Sequence, residues 1–327
     1  MKQLIAATLF VFLTKIVLAQ PTADVLIKNG RVLDGTGNSW FFADVAIKEG
    51  KIFKIGKLGA LSATKTIDAK GLYVTPGFID VHGHIEEGII TTPTADNYIH
   101  DGVTTVVTGN CGGSAADMKL FFQRVDSVHP SINVASLIGH NTIREQVMKR
   151  DNRAPTNEEQ QQMENLVQAA MRDGAVGLST GLIYIPGTFA KTDEVVGLAK
   201  AAAASGGLYA SHIRNEENSA ADAINEAINI GKEANIPVQI SHFKIGGKGN
   251  WGKSNQILAL VEHARNEGWD VSIDQYPDTA SSTNLGVRLP DWVFAGGNDS
   301  MMARLNDPLI RSRVKAEMLQ QLSRYKF

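Results

Sequence analysis

The chain has 327 residues, 43% of them hydrophobic, enough to bury a large core in one large α/β domain or two smaller ones. Its 32 Lys and Arg stand against 34 Asp and Glu, a net charge of −2. With neither a basic patch nor a long run of like charge, the composition excludes nucleic acid as a main partner.

The first twenty residues, MKQLIAATLFVFLTKIVLAQ, stand apart. Lys2 precedes an apolar run from Leu4 to Thr14, and Val17-Leu18-Ala19 fits a small-residue cleavage site. This pattern predicts a secretory signal peptide over residues 1–19 and an exported protein, periplasmic or secreted. A membrane anchor is the alternative. The apolar run is short for a bilayer, so no stable membrane insertion is expected after cleavage. The single cysteine, Cys111, has no partner for an internal disulfide. It is either a small buried hydrophobe or a thiolate ligand.

From Ala23 to about Ile67 the texture is short and β-like. VLIKNGRVLDG predicts a strand, an Asn-Gly turn and a second strand, and DVAIKEGKIFKIG repeats the device around Glu-Gly. Hairpins this small need a partner sheet. A small β-domain is therefore expected over residues 20–75.

After Pro76 strand-like and helical patterns alternate. Apolar strand runs fall at 77–84, 104–111, 132–140, 175–181, 207–212, 237–242 and 269–277. Thr156 and Glu159 form a capping box, followed at helical spacing by Met163, Leu166, Val167 and Ala170. Residues 217–234 put Ala220, Ala223, Ile224, Ala227, Ile228 and Gly231 on one stripe. Seven strands separated by helices predict a parallel sheet covered by helices. No G-x-G-x-x-G follows a strand, which weakens a doubly wound dinucleotide-binding sheet. His82, His84, Cys111, His140, His212 and His242 all end strand runs. In a barrel those ends converge on one mouth. The expected fold is therefore α/β, a (β/α)8 TIM-type barrel over residues 76–327 behind the small β-domain.

The run FIDVHGH sharpens the chemistry. In an extended strand, side chains two apart share a face, so Asp80, His82 and His84 would line one side and Val81 the other. Imidazole, thiolate and carboxylate are the ligand types zinc prefers. His212 and His242 are thirty residues apart, one βα unit, so they come from neighbouring strands. An H-x-H, a lone cysteine and two further strand-end histidines at one address predict a metal site.

PGFIDVHGH resembles the metal-binding signature of the amidohydrolase superfamily. VVTGNCGGS, GLSTGLIYIPG, YASHIRNE, ISHFKIGG and YPDTASST together resemble the N-acyl-D-amino-acid deacylases (D-aminoacylases). The cysteine of GNCG is the discriminating mark, because most of the superfamily has a carboxylated lysine in its place. The resemblance implies a tight zinc bound by Cys111, His212 and His242. It places His82 and His84 at a second, weaker or bridged metal position, with Cys111 between the two. It implies hydrolysis of the amide bond of a small N-acyl-D-amino acid, releasing a carboxylate and a free D-amino acid. It suggests Tyr184 and Lys244 as groups facing the substrate, with Ser282 a weaker candidate. Lys244 would pair with the substrate's α-carboxylate; a solvated strand-end lysine is the alternative. Arg214 either orients the site or makes a structural ion pair. His140, which the family does not use as a ligand, reads as structural or supporting. Gly109, Gly112 and Gly113 let the backbone turn tightly beside Cys111. Other readings are a cyclic amidase or dipeptidase of the same superfamily, against which Cys111 counts, and an inactive metal-binding fragment.

The chain departs from the family at its end. The family's eighth strand carries an aspartate that serves as general acid and base, and that residue is expected beyond Phe327. Asp278 stands where relatives usually have tyrosine. The expectation is a barrel lacking its eighth strand, weakly active or inactive as residues 1–327 alone.

Overall fold

The computed structural model describes residues 22–323. The expected signal peptide, residues 1–19, lies outside the described residues. The described residues divide into two compact units that part between Gly77 and Phe78.

The first unit is one mixed sheet. Strands β1 (Ala23–Val32), β2 (Phe41–Lys48), β3 (Lys51–Gly56) and β4 (Ala63–Asp68) lie in the order β3-β2-β1-β4, and β5 (Tyr73–Val74) also pairs with β1. The turn expected at Glu-Gly is there, with Glu49 and Gly50 both at positive φ, 52° and 70°, as a two-residue hairpin of this hand requires. The turn expected at Asn-Gly is not. β1 runs through Asn29 and Gly30 to Val32, and its register against β2 shifts between Ile27 and Gly30. Asn29 sits at φ 61°, its amide donating to Asp44 Oδ1 at 3.0 Å and its Nδ2 to Asp68 Oδ1 at 2.9 Å. The left-handed residue thus makes a bulge, not a reversal. A Cβ on Gly30 would lie 2.5 Å from Val74 Cγ2, so glycine is needed for β5 to pack there. Leu26, Ala46 and Leu58 close one small core, and Val32, Ala43 and Val45 another.

The second unit alternates strand and helix. Its strands are β6 (Phe78–Asp80), β7 (Val103–Thr108), β8 (Asn133–Ser136), β9 (Ile138–Gly139), β10 (Gly177–Gly181), β11 (Leu208–His212), β12 (Val238–Ile240) and β13 (Val271–Ile273). Every pairing is parallel and follows chain order, in a three-stranded sheet β6-β7-β8 and a five-stranded sheet β9 to β13. The two sheets meet at Leu137. Its amide donates to Thr108 O, and Val176 N donates to Ser136 O, both at 2.9 Å. β8 and β9 are thus one strand run with a break, and seven runs stand where seven were expected. Among the described residues, helices and 3₁₀ turns follow β13, with no further strand.

The helices form where the apolar stripes predict. Thr156 caps Asn157–Arg172 with a complete capping box, the Glu159 amide donating to Thr156 Oγ1 at 3.2 Å and the Thr156 amide to Glu159 Oε2 at 2.8 Å. Met163, Val167 and Ala170 are buried, while Leu166 is only partly so. Helix Ala220–Ala234 buries the whole predicted stripe and adds Ile230 and Ala234. Both helices cover β9 to β13, whose core includes Leu178, Tyr209, Val238 and Ile240.

His140 belongs to this scaffold. It opens helix His140–Met148, fully buried, with Nε2 at 2.8 Å from Glu194 Oε1. Arg144, one turn on and equally buried, donates Nε to the same oxygen at 3.0 Å and its other nitrogens to Asp151 O and Arg153 O. A buried guanidinium is tolerated only with its charge matched and its donors used. Glu194→Ala is expected to cost about 3–5 kcal/mol of unfolding free energy in a urea titration, because Arg144 is left buried and unpaired. A loss under about 1 kcal/mol, the scale of an exposed pair, would show that the cluster relaxes freely.

Candidate metal centre

The candidate ligands sit at or just past strand ends: His212 closes β11, and the other four lie in the bends and loops that follow β6, β7 and β12. β6 stops at Asp80, so His82 and His84 lie in the bend after it and not in the strand that their spacing suggested. Asp80 does not face a site with them: its Oδ1 turns back to accept from the His82 amide at 3.0 Å, the local bond that favours aspartate in turns. The two imidazoles remain neighbours, their rings 5.4 Å apart.

Cys111 follows β7 in the GNCGG loop. It holds φ 54°, and His242, after β12, holds φ 36°. Non-glycine residues in this region are costly and persist where the surroundings over-determine them. The surroundings of Cys111 are specific. Glu86 Oε1 accepts from Gly109 N at 2.8 Å, Asn110 Nδ2 donates to Val107 O at 3.0 Å, and Ser179 Oγ accepts from Gly112 N at 3.0 Å. Gly112 takes φ 77°, and a Cβ there would lie 2.3 Å from Asn141 Oδ1. For His242, Asp274 Oδ1 accepts its backbone amide at 2.5 Å.

These loops bring five of the expected residues together. One donor atom each from Cys111, His212 and His242 lie within 4.8 Å of one another, and the same holds for His82, His84 and Cys111. Cys111 is common to both groups, its Sγ 3.3 Å from His82 Nε2 and 3.9 Å from His242 Nε2. His242 Nε2 faces His212 Nδ1 at 2.7 Å, and the other His212 nitrogen, Nε2, is buried with no hydrogen-bond partner.

The electrostatics suit a cation. Burial, followed by the charge of His242, drives the His212 imidazole down to about 3, so it is neutral at pH 7. Burial, then the charges of Asp274 and Glu216, push the Cys111 thiol up to about 12. Two imidazole nitrogens and a thiol converging beside two carboxylates form a donor set with charge to spare for a metal. A divalent ion among them would reverse the thiol's preference and hold it as thiolate. Two imidazoles and a sulfur fit zinc.

Two carboxylates in this site were not singled out from the sequence. Asp274, just past β13, accepts from His82 Nδ1 at 3.2 Å and from Gln239 Nε2 at 2.7 Å. Burial raises its carboxyl, but the bond from His82 and that imidazole's charge outweigh it, and the net shift is downward. The His82–Asp274 contact joins side chains just past the first and seventh strand runs. Glu216, four residues past His212, has Oε1 at 2.8 Å from His242 Nδ1 and 2.5 Å from Lys244 Nζ. Burial raises it too, but His242, His212 and Lys244 together draw it down to about 2. The strand-end rule that picked out histidines would have found Asp274 had it been extended to carboxylates. Nothing in the sequence marks Glu216 except its place four residues beyond His212.

The remaining expected residues divide. The Tyr184 ring lies 4.7 Å from the His212 ring, and its hydroxyl is 3.2 Å from Thr283 Oγ1. Lys244 is at the site but ion-paired, not freely solvated. Ser282, next to Thr283, is exposed. Arg214 turns away: its guanidinium pairs with both Glu226 oxygens at 2.9 Å and donates to Thr188 O and Ala190 O, the structural ion pair of the two readings.

The chain is similar to known proteins. The chain is 39% identical over 288 residues to N-acyl-D-glutamate deacylase of Alcaligenes xylosoxydans xylosoxydans, covering 81% of this chain and 59% of that protein. It is 36% identical over 285 residues to D-aminoacylase of the same organism, covering 80% and 59%. The crystal structure of N-acyl-D-glutamate deacylase from Bordetella bronchiseptica, complexed with zinc and a phosphonate inhibitor, superposes with a TM-score of 0.76 at 40% identity. That match covers 79% of this chain and 59% of the other. The chain thus spans 59% of the length of the curated relatives it matches. The model of the amidohydrolase family matches residues 65–285, a stretch that takes in all five clustered donors, and the chain belongs to that family.

Proposed function

We propose that the protein is a zinc-dependent amide hydrolase that cleaves N-acyl-D-amino acids into a carboxylate and a free D-amino acid. The observation that carries this reading is the convergence of Cys111, His212 and His242 within 4.8 Å. Likeness to deacylases named for N-acyl-D-glutamate and for D-amino acids supports the substrate class and its stereochemistry.

The proposed roles follow from position. Cys111, His212 and His242 hold one zinc tightly, and His82 and His84, with Cys111 shared, offer a second and weaker position. Bound there, the cation supplies Lewis acidity, activating water and polarising the scissile carbonyl. Asp274 keeps the His82 ring turned so that Nε2 faces Cys111. Lys244 offers its remaining donor capacity to the substrate α-carboxylate, and Tyr184 and Ser282 line the same side. Architecturally, the seven parallel strand runs are read as part of a TIM-type (β/α)8 barrel over residues 76–327, preceded in the chain by a small β-domain over 20–75. The apolar leader is read as a signal for export to the periplasm or beyond.

Removal of metal with a chelator, followed by titration with zinc, is the first test. Assayed on a chain that also carries the eighth-strand aspartate, hydrolysis of N-acetyl-D-amino acids is expected to vanish and return as zinc is added, while N-acetyl-L-amino acids stay poor substrates. Equal activity of the metal-free protein would refute the proposal. Cys111→Ala should lose the tight zinc in metal analysis and lower kcat/KM by more than about 100-fold; zinc retained at full stoichiometry would remove Cys111 from the ligand set. Lys244→Met should raise KM more than it lowers kcat, the signature of a group that binds without taking part in bond breaking. A fall in kcat alone would argue against the carboxylate contact.

A further inference from the structure

We propose that Glu216 decides the tautomer of His242, and does so against Lys244. The proposal rests on the metal reading above, because the tautomer matters only if His242 offers Nε2 to a cation.

His242 Nδ1 has two polar neighbours at nearly equal range, Glu216 Oε1 at 2.8 Å and Lys244 Nζ at 2.9 Å. They make opposite demands. A carboxylate only accepts, so it needs a proton on Nδ1. An ammonium only donates, so it needs Nδ1 bare. A neutral ring with Nδ1 bare carries its proton on Nε2. That nitrogen faces His212 Nδ1 at 2.7 Å and Cys111 Sγ at 3.9 Å. The proton would then occupy the position where the metal must sit. Had Lys244 alone faced the ring, the site would lose one ligand without any atom moving.

Glu216 prevents this in two ways. It accepts from Nδ1–H, fixing the proton on the far side of the ring from the metal. It also takes the ammonium itself, Lys244 Nζ lying 2.5 Å from the same Oε1 and 3.2 Å from His242 O. With those acceptors available, Lys244 has no need of the imidazole lone pair. The carboxylate is held in place for the task. Its backbone carbonyl accepts from Gly246 N at 2.7 Å, tying the turn after β11 to the loop that carries Lys244. The side chain is 19% exposed, sheltered enough for charge-assisted bonds to resist water. Glu216 is a positioning residue: it acts through His242.

The test measures zinc affinity by competition with a chromogenic chelator, in the unaltered protein and in Glu216→Ala, Lys244→Met and the double variant. Glu216→Ala is expected to weaken zinc binding by about 10- to 100-fold. Lys244→Met alone should change it by less than about 3-fold, and in the double variant most of the lost affinity should return, because the competing donor is gone. A merely structural role predicts the opposite, with losses that add. Unchanged affinity in Glu216→Ala, or no recovery in the double variant, overturns the proposal. A second measurement needs no variant. Nitrogen NMR of labelled histidine in the zinc-free protein should find His242 as the Nδ1–H tautomer; the Nε2–H form would overturn the assignment. Failure of the unaltered protein to bind zinc at all would instead strike the metal reading itself, and separates that failure from this one.

Discussion

Three donor atoms carried by separate strand runs must meet at one point, and much of the second unit serves that meeting. Sγ of Cys111, Nδ1 of His212 and Nε2 of His242 have no covalent reason to be neighbours. Two imidazole nitrogens 2.7 Å apart are held that close only with a proton or a cation between them. The scaffold imposes the proximity, and part of its cost is visible in the backbone. Cys111 and His242 both occupy the left-handed region, where each forgoes of the order of 1–3 kcal/mol of local stability.

That cost is met by rigid surroundings. The Cys111 loop is tied to Glu86, Ser179 and the carbonyl of Val107, which belong to three different stretches of chain. Below it, Thr180, Tyr209 and Ser211 form a fully buried hydroxyl network between β10 and β11, with separations of 2.9 to 3.2 Å. Hydroxyls buried there are tolerated because each has a partner. The Arg144–Glu194–His140 cluster performs the equivalent service at the start of its helix. Polar interactions are thus spent where the chain must be held in one conformation, while Ala- and Ile-rich helix faces supply the apolar burial.

Charge is arranged around the donors with the same economy. Each of two carboxylates serves two chain segments: Asp274 holds the His82 ring and the His242 backbone, and Glu216 holds the His242 ring and the Lys244 ammonium. Neither carboxylate need touch the cation to matter. By accepting ring protons they turn the opposite nitrogens inward, which is how surrounding acceptors commonly prepare histidine for metal. Their charge also disfavours a thiolate while the site holds only protons, so deprotonation of Cys111 is coupled to cation binding.

Residue pattern by itself determined the alternation of strand and helix, the seven strand runs, the capping box at Thr156 and the stripe from Ala220 to Gly231. It also picked out the five side chains that cluster, because strand ends in a parallel sheet converge and few residue types bind metal. Those signals are local or rest on a general rule of the fold. What tertiary structure decided was everything set by contacts distant in sequence. Asn29-Gly30 reads equally well as a turn or a bulge, and only packing against Val74 and bonds to Asp44 and Asp68 chose the bulge. Arg214 and Lys244 each lie two residues past a histidine, yet one points to Glu226 and the other to Glu216. Asp274 meets His82 across 192 residues. Periodicity tells which face a side chain leaves from, but its partner is fixed by how the sheet curls, and that follows from all the strands packing at once.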